Sequence, residues 1–141
     1  MKHFTFLLSL VLIFTFATAT LAGDQDENWE IFSQSLVKMF KSDNDGLKQS
    51  AMQRIIQYSD KLDVKDAAFA IYNIYRWNKD VRVRRLALIA LYKTNYDWAM
   101  KQIVQDLKIE SSPALKRQMV YMVNEYYKDK HDMTYEYLAS E

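Results

Sequence analysis

The amino-acid sequence predicts an all-α fold: an α-solenoid of about three helix pairs with a capping helix at each end. The first observation is that three segments, 44–51, 80–87 and 112–119, share one pattern, a capping-type residue followed by an amphipathic helix. The second is that a further helical pattern starting near Ala67 recurs near Ala99. Repeated helix pairs are typical of solenoids. The third is that only two glycines and one proline occur, which disfavours a sheet protein with many turns.

Length and composition allow one domain with a packed core. The chain has 141 residues, of which 50% are hydrophobic and 14% aromatic. It has no cysteine, so its stability must come from burial of the core rather than from disulfides.

Residues 1–22 have the layout of a secretory signal peptide. A short polar start, Lys2-His3, precedes the nearly continuous apolar run 4–16, and small residues follow at 17–22. Cleavage after Ala19 and after Ala22 both fit, and Ala22 is preferred. An uncleaved membrane anchor is the alternative, although the apolar run is short for a span of about 20 residues. The sequence therefore predicts an exported protein, periplasmic or secreted.

The mature chain is predicted to be electrically neutral. Removal of the segment 1–22 takes away one lysine and no acid, so the basic residues then equal the acidic residues in number. This balance argues against nucleic acid or an anionic membrane as the main partner. An acidic polar leader, 23–28, is expected to precede the repeat domain, 29–141.

Helical spacing of apolar residues predicts each element in turn. The first helix, about 29–41, carries the apolar stripe that includes Phe32 and Leu36. The next is expected at about 45–59, and the third at about 64–77. The fourth, 80–93, becomes almost wholly apolar over 86–91, which indicates an interior helix. A fifth is expected at about 96–109, a sixth from the Ser112-Pro113 start to about 128, and a short last one at about 133–140.

A common register relates the pairs. Leu47, Val83 and Leu115 superpose as equivalent positions of successive units. The interval from Ala67 to Val83 is the same as the interval from Ala99 to Leu115. The first unit is longer than the second, and its extra length is therefore predicted in the surface turn around 59–63, where added length is tolerated.

The segment 80–91, followed by Trp98-Ala99, Ile103-Val104 and Leu107, resembles a HEAT repeat of the short, PBS-lyase type. The segment 112–117 resembles the start of the next unit, and the resemblance covers roughly 44–128. It implies a stack whose second helices line a concave side, and it implies binding of proteins rather than catalysis. Lys48 and Lys116 stand where arginine is more usual.

Few residues could carry catalysis or hold a metal. Of the two histidines, His3 lies in the signal segment, and His131 lies in a polar stretch that reads as a solvated turn. Asp43 to Gly46 resembles a calcium loop in composition only, because Met52 stands where the loop requires glutamate. The sequence predicts no enzyme, no cofactor and no metal.

Two surface features could contact a partner. A central basic cluster could dock an acidic partner, or it could form ion pairs with Asp80, Asp97 and Asp106; balanced charge favours the second. Its members are Arg76, Lys79, Arg82, Arg84 and Arg85. An aromatic and cationic groove is the other candidate, since such residues favour interfaces. Its predicted partner-binding residues are Phe69, Tyr72, Arg76, Lys101 and Lys108. The alternative is that Phe69 and Tyr72 pack on the first helix around Phe32 and Leu36.

The function expected from these observations is that of an exported protein-binding or scaffold module without catalysis. An extracytoplasmic inhibitor or regulator of an enzyme is one alternative, and a self-associating structural protein is another. The identity of the partner and the oligomeric state do not follow from the sequence.

Overall fold

The computed structural model describes residues 28–128, and every regular element in that range is helical. Helix α1 occupies 28–39, and a short 3₁₀ turn, Lys65–Ala67, leads into α3. The remaining bounds are α2 Asp45–Gln57, α3 Ala68–Trp77, α4 Val81–Lys93, α5 Asp97–Asp106 and α6 Pro113–Tyr127. The predicted signal peptide, most of the predicted leader and the predicted last helix lie outside the described residues.

The three predicted helix starts have the expected side-chain caps. Asn44 accepts a hydrogen bond from the Leu47 amide at the start of α2. Asp80 caps α4 by accepting from the Arg82 amide, and Ser112 caps α6 by accepting from the Leu115 amide. Each bond satisfies one of the amides that the first turn of a helix leaves without a partner.

A second hydrogen bond is common to the same three turns. The residue two positions before each cap accepts from the backbone amide of the cap itself. The acceptors are Ser42 Oγ at 3.1 Å, Asn78 Oδ1 at 2.9 Å and Glu110 Oε1 at 2.9 Å. The register derived from the sequence relates these three acceptors as well, so it extends to the turns.

Helix α5 ends earlier than the predicted end near Ile109. Residues 107–109 form a turn beyond the helix, and the amides of Ile109 and Glu110 both donate to the Asp106 carbonyl in this turn. The spacing of apolar residues in the sequence does not reveal this earlier end of the helix. Glu110 is consequently placed in the connection to α6, where its side chain turns inward and is buried.

The turn between α4 and α5 uses a left-handed residue. Asn95 has a φ of 49°, and its amide donates to the Tyr92 carbonyl. Asparagine accepts this conformation more readily than most other residues, which explains how a turn without glycine can end α4.

The extra length of the first unit lies where the register predicts it. Residues 58–64 connect α2 to the 3₁₀ turn, whereas only 94–96 connect α4 to α5. The longer connection is fixed against α1, because the Ser33 hydroxyl donates to the Trp29 carbonyl and accepts from the Asp63 amide. Val64, at its end, is buried.

Helix α4 is the centre of the described domain. It packs against α2, α3, α5 and α6, and α3 also contacts α5. Ala87, Leu88, Ala90 and Leu91 have no exposed surface, which confirms the predicted interior position of this helix. Burial of such an apolar helix supplies much of the energy that holds a domain of this size together.

Helix α6 presents an apolar face that α4, its equivalent, does not. Arg85 on α4 donates to Gln118 on α6, so the two helices lie side by side. Leu88 is fully buried, whereas Val120, its equivalent on α6, is 43% exposed and the neighbouring Tyr121 is 64% exposed. Within the described residues, α6 is thus the outermost helix on this side.

Candidate partner-binding surface

Glu110 connects three helices through one buried carboxylate. Its Oε1 accepts from the Ser112 amide at the start of α6. Its Oε2 accepts from the Tyr75 hydroxyl at 3.1 Å and from Arg84 Nη2 at 2.5 Å. Arg84 Nε also donates to the Tyr75 carbonyl at 2.8 Å, at the C-terminal end of α3. The carboxylate therefore links the C-terminal end of α3 to the N-terminal ends of α4 and α6.

The environment of Glu110 favours its charged form. Burial alone would raise the pKa of this carboxyl. The Ser112 amide, the Tyr75 hydroxyl and the Arg84 guanidinium together outweigh burial, and they hold the pKa below its ordinary value. Burial and the neighbouring Glu110 carboxylate raise the pKa of Tyr75, which keeps its hydroxyl a donor.

Asp106, on the last turn of α5, lies in an environment that disfavours its charged form, in contrast to Glu110. It is 4% exposed, and its Oδ2 has no hydrogen-bond partner in the described structure. Its Oδ1 lies 3.5 Å from Arg76 Nη1, a loose ion pair. Burial raises the pKa of the Asp106 carboxyl, and the positive charge of Arg76 and the Tyr72 hydroxyl counter this only in part.

Asp106→Asn is expected to be at least as stable as the parent at pH 7. Because the folded-state pKa of Asp106 lies above its unfolded value, ionisation of this carboxyl lowers stability as the pH rises through the two values. Removing the charge should therefore raise the unfolding free energy by roughly 0.5–1 kcal/mol at pH 7. The gain should shrink as the pH falls towards about 3. Urea denaturation at both pH values measures this, and any measurable loss of stability at pH 7 would contradict it.

A partly exposed group of aromatic side chains spans α3 and the start of α5. Trp98 is its centre, with ring centroids 6.1 Å from Phe69, 5.7 Å from Tyr72 and 6.1 Å from Tyr96. Phe69 is 64% exposed, although it is a large apolar residue. We call Phe69, Tyr72, Tyr96 and Trp98 the aromatic surface. It combines rigid rings with solvent access, as protein contact sites commonly do.

The predicted groove residues occupy different environments. Phe69 and Tyr72 both make ring contacts with Trp98 on α5, and Tyr72 also contacts the ring of Tyr75. Arg76 is directed to Asp106 and is only 22% exposed. Lys101 and Lys108 are both exposed, Lys101 one turn after Trp98 and Lys108 beyond the end of α5.

Sequence reasoning misses Trp98 and Tyr96 as members of the same surface. Shifting each α3 position by the repeat register leads to Lys101, Val104 and Lys108. Trp98 instead reaches Phe69 and Tyr72 across the two helices. An aromatic pair at 96 and 98, at the start of α5, is the signal that could have identified it.

The basic cluster is largely engaged within the chain. Arg82 pairs with Asp80 at 2.9 Å, and Arg76 and Arg84 pair with Asp106 and Glu110. Glu110 is not among the acids that the sequence indicates as partners. Asp97, which the sequence does indicate as a partner, accepts a hydrogen bond from the Tyr126 hydroxyl. The arrangement agrees with the interpretation of these residues as internal charge pairs.

Two negative findings apply to residues 28–128. No three histidine or acidic side chains in this range are grouped so that they could hold a metal ion. No helix there is both long enough and apolar enough to cross a membrane.

Comparison with known proteins gave no relative. No protein-family model, no curated protein and no solved structure matches the chain. The class that the fold itself defines is an all-helical protein.

Proposed function

We propose that this chain is an exported helical-repeat protein that binds a protein partner through the aromatic surface and catalyses no reaction. The observation that carries the proposal is the exposure of Phe69, 64%, within a group of four aromatic rings on two helices. A contiguous group of exposed apolar side chains on a protein surface commonly marks a contact site. Aromatic residues are also those that most often dominate binding energy at protein interfaces.

A repeat stack of the HEAT type is the arrangement that the proposal assumes. The side-chain cap and the second hydrogen bond that recur at three turns support it, as does packing of α4 between α2 and α6. Helices α3 and α5, which the proposal takes as the second helices of successive pairs, contact each other, and this contact also supports it. In such a stack these helices would form one continuous binding face.

Export is proposed from the segment 1–22 of the sequence. Its polar start, apolar run and small residues match a secretory signal. The partner is accordingly sought outside the cytoplasm, and an apolar segment of a protein is the chemistry that fits the aromatic surface. Lys101 at its edge favours a partner with an adjacent acidic residue.

The proposal is tested by capturing the partner and measuring its affinity for two matched variants. Phe69 and Tyr121 are equally exposed, at 64%, but only Phe69 lies in the aromatic surface. Phe69→Ala is expected to weaken binding at least tenfold, which corresponds to about 1.4 kcal/mol. Tyr121→Ala should bind like the parent. Both variants should keep the parent's thermal midpoint within about 2 °C, because neither side chain is in the core.

The reverse result would place the contact on the outer face of α6. If Tyr121→Ala loses the partner and Phe69→Ala keeps it, the aromatic surface is not the binding site. The same experiment separates the two alternatives. A captured enzyme whose rate changes on binding indicates a regulator, and a concentration-dependent mass that Tyr121→Ala reduces indicates self-association through α6.

A further inference from the structure

A second group of aromatic rings lies where α1, α2 and the 58–64 connection meet. The ring centroids of Trp29 and Tyr58 are 5.4 Å apart, those of Trp29 and Phe32 6.0 Å, and those of Phe32 and Tyr58 6.2 Å. None of the three rings is fully buried. They form the apolar wall of a surface concavity at the edge of the core.

This concavity has the size of a small-molecule site. Its volume is about 420 Å³, within the range of roughly 300–1,000 Å³ that ligand sites occupy. Asn28 and the exposed Arg54 line it beside the three rings. It thus combines an aromatic wall with two polar groups at its edge, a composition that suits a ligand with a flat apolar body and one polar end.

The charged side chains at the site determine whether it favours a cationic or an anionic ligand. Lys61 Nζ lies 4.9 Å from the centroid of the Trp29 ring, so this ring already has a cation on it. Arg54 Nη1 donates to the neutral Gln57 Oε1 at 2.9 Å. In the described part of the chain, neither cation forms an ion pair with a carboxylate. A cationic ligand would be repelled here, whereas an anionic group would gain a charge-assisted hydrogen bond from Arg54.

We propose that this concavity binds a small aromatic molecule that carries one carboxylate. The ring of the ligand would pack among Trp29, Phe32 and Tyr58, and the carboxylate would accept from the guanidinium of Arg54. Offset and edge-to-face packing of aromatic rings supplies the apolar part of the affinity. The site is separate from the aromatic surface of α3 and α5, so the proposal does not depend on the proposed protein partner.

The acidic leader is the competing occupant. Asp24, Asp26 and Glu27 immediately precede the site in the sequence, and their carboxylates have the same chemistry as the proposed ligand. The leader has no aromatic ring, however, and would leave the three-ring wall without a partner of matching shape. The experiment therefore includes an arm that removes the leader's charge.

The test uses indole-3-acetate as the probe and indole-3-acetamide as its neutral isostere, with binding to the purified exported protein measured by calorimetry. Indole-3-acetate is expected to bind about tenfold more tightly than the acetamide. Arg54→Gln should remove this preference while retaining weak binding of both. Tyr58→Ala should weaken both probes about equally. Arg117→Gln, an exposed arginine on α6, is the matched control and should behave like the parent.

Three results would each overturn the proposal. The first is absence of indole-3-acetate binding at millimolar concentration, and the second is equal affinity for the two probes. The third is binding that appears only after Asp24, Asp26 and Glu27 are replaced by asparagine or glutamine, which would assign the site to the chain's own leader. Since Arg54 is on the surface, Arg54→Gln should fold normally. The test therefore remains decisive even if Tyr58→Ala does not fold.

Discussion

Glu110→Gln is expected to lower the free energy of unfolding by about 2–3 kcal/mol at pH 7. Glutamine has a single acceptor oxygen, so in this geometry it can accept from the Ser112 amide or from the Tyr75 hydroxyl but not from both, and it leaves the Arg84 guanidinium without its counter-charge. Arg84 is only 19% exposed, so water recovers little of that loss. Removing one partner of a buried ion pair costs about 3–5 kcal/mol, and the partial exposure of Arg84 sets the lower figure here.

The pH dependence gives the sharper form of this prediction. The pKa of Glu110 in the folded protein lies below its ordinary value of 4.5, so its contribution is present above that pH. The contribution is lost as the pH falls through the folded-state pKa. Parent and Glu110→Gln should therefore differ most near pH 7 and converge as the pH falls below 4.5 and through the folded-state pKa, as measured by urea denaturation.

An exposed acid provides the control for Glu110. Glu125→Gln, on α6, changes the same chemical group at an exposed position and should shift stability by less than about 0.5 kcal/mol. A loss at Glu110 no larger than at Glu125 would show that the carboxylate does not hold the three helices together. A double-mutant cycle of Glu110→Gln with Tyr75→Phe measures how far the two groups act as a unit.

Leu88→Ala and Val120→Ala test whether equivalent positions of α4 and α6 differ as the structure indicates. Leu88 has no exposed surface at the centre of the domain, and its truncation should cost about 3 kcal/mol through lost burial and the cavity left behind. Val120 is 43% exposed, and its truncation to alanine should cost about 0.5 kcal/mol or less. Chemical denaturation of the two variants measures both.

Comparing the stability losses of Leu88→Ala and Val120→Ala also shows whether the outer face of α6 is exposed to water in solution. A cost at Val120 that approached the cost at Leu88 would mean that this face is covered, either by residues outside 28–128 or by another molecule. Repeating the measurement over a tenfold range of protein concentration distinguishes the two, because only coverage by another molecule depends on concentration.

Much of the fold follows from the sequence because its signals are local. A capping side chain and the amide it binds are two or three positions apart, so the starts of α2, α4 and α6 could be predicted from Asn44, Asp80 and Ser112. The interior position of α4 follows from its apolar run. The end of α5 could not be predicted, because Ile109 continues the apolar spacing although the chain turns at Asp106.

The candidate site follows from the sequence less completely, because its contacts join distant residues. Phe69 and Tyr72 could be recognised as candidates, but their partner Trp98 lies on another helix. Tyr75 and Glu110 also lie on separate elements, and nothing in the local sequence distinguishes Glu110 from a solvated acid. The sequence names Asp106 as a possible ion-pair partner of the basic cluster, but it does not show that Asp106 is buried beside Arg76.

The shared turn chemistry has a consequence for how the length of this protein could change. A duplicate of 80–111 would join Glu110-Ser111 to a second Asp80, and that junction has the same acceptor and cap positions as the native turn. Insertion or deletion of one whole unit at these turns would therefore preserve every cap. The chain is in this sense modular, and longer or shorter forms could be built from it by recombination at these turns.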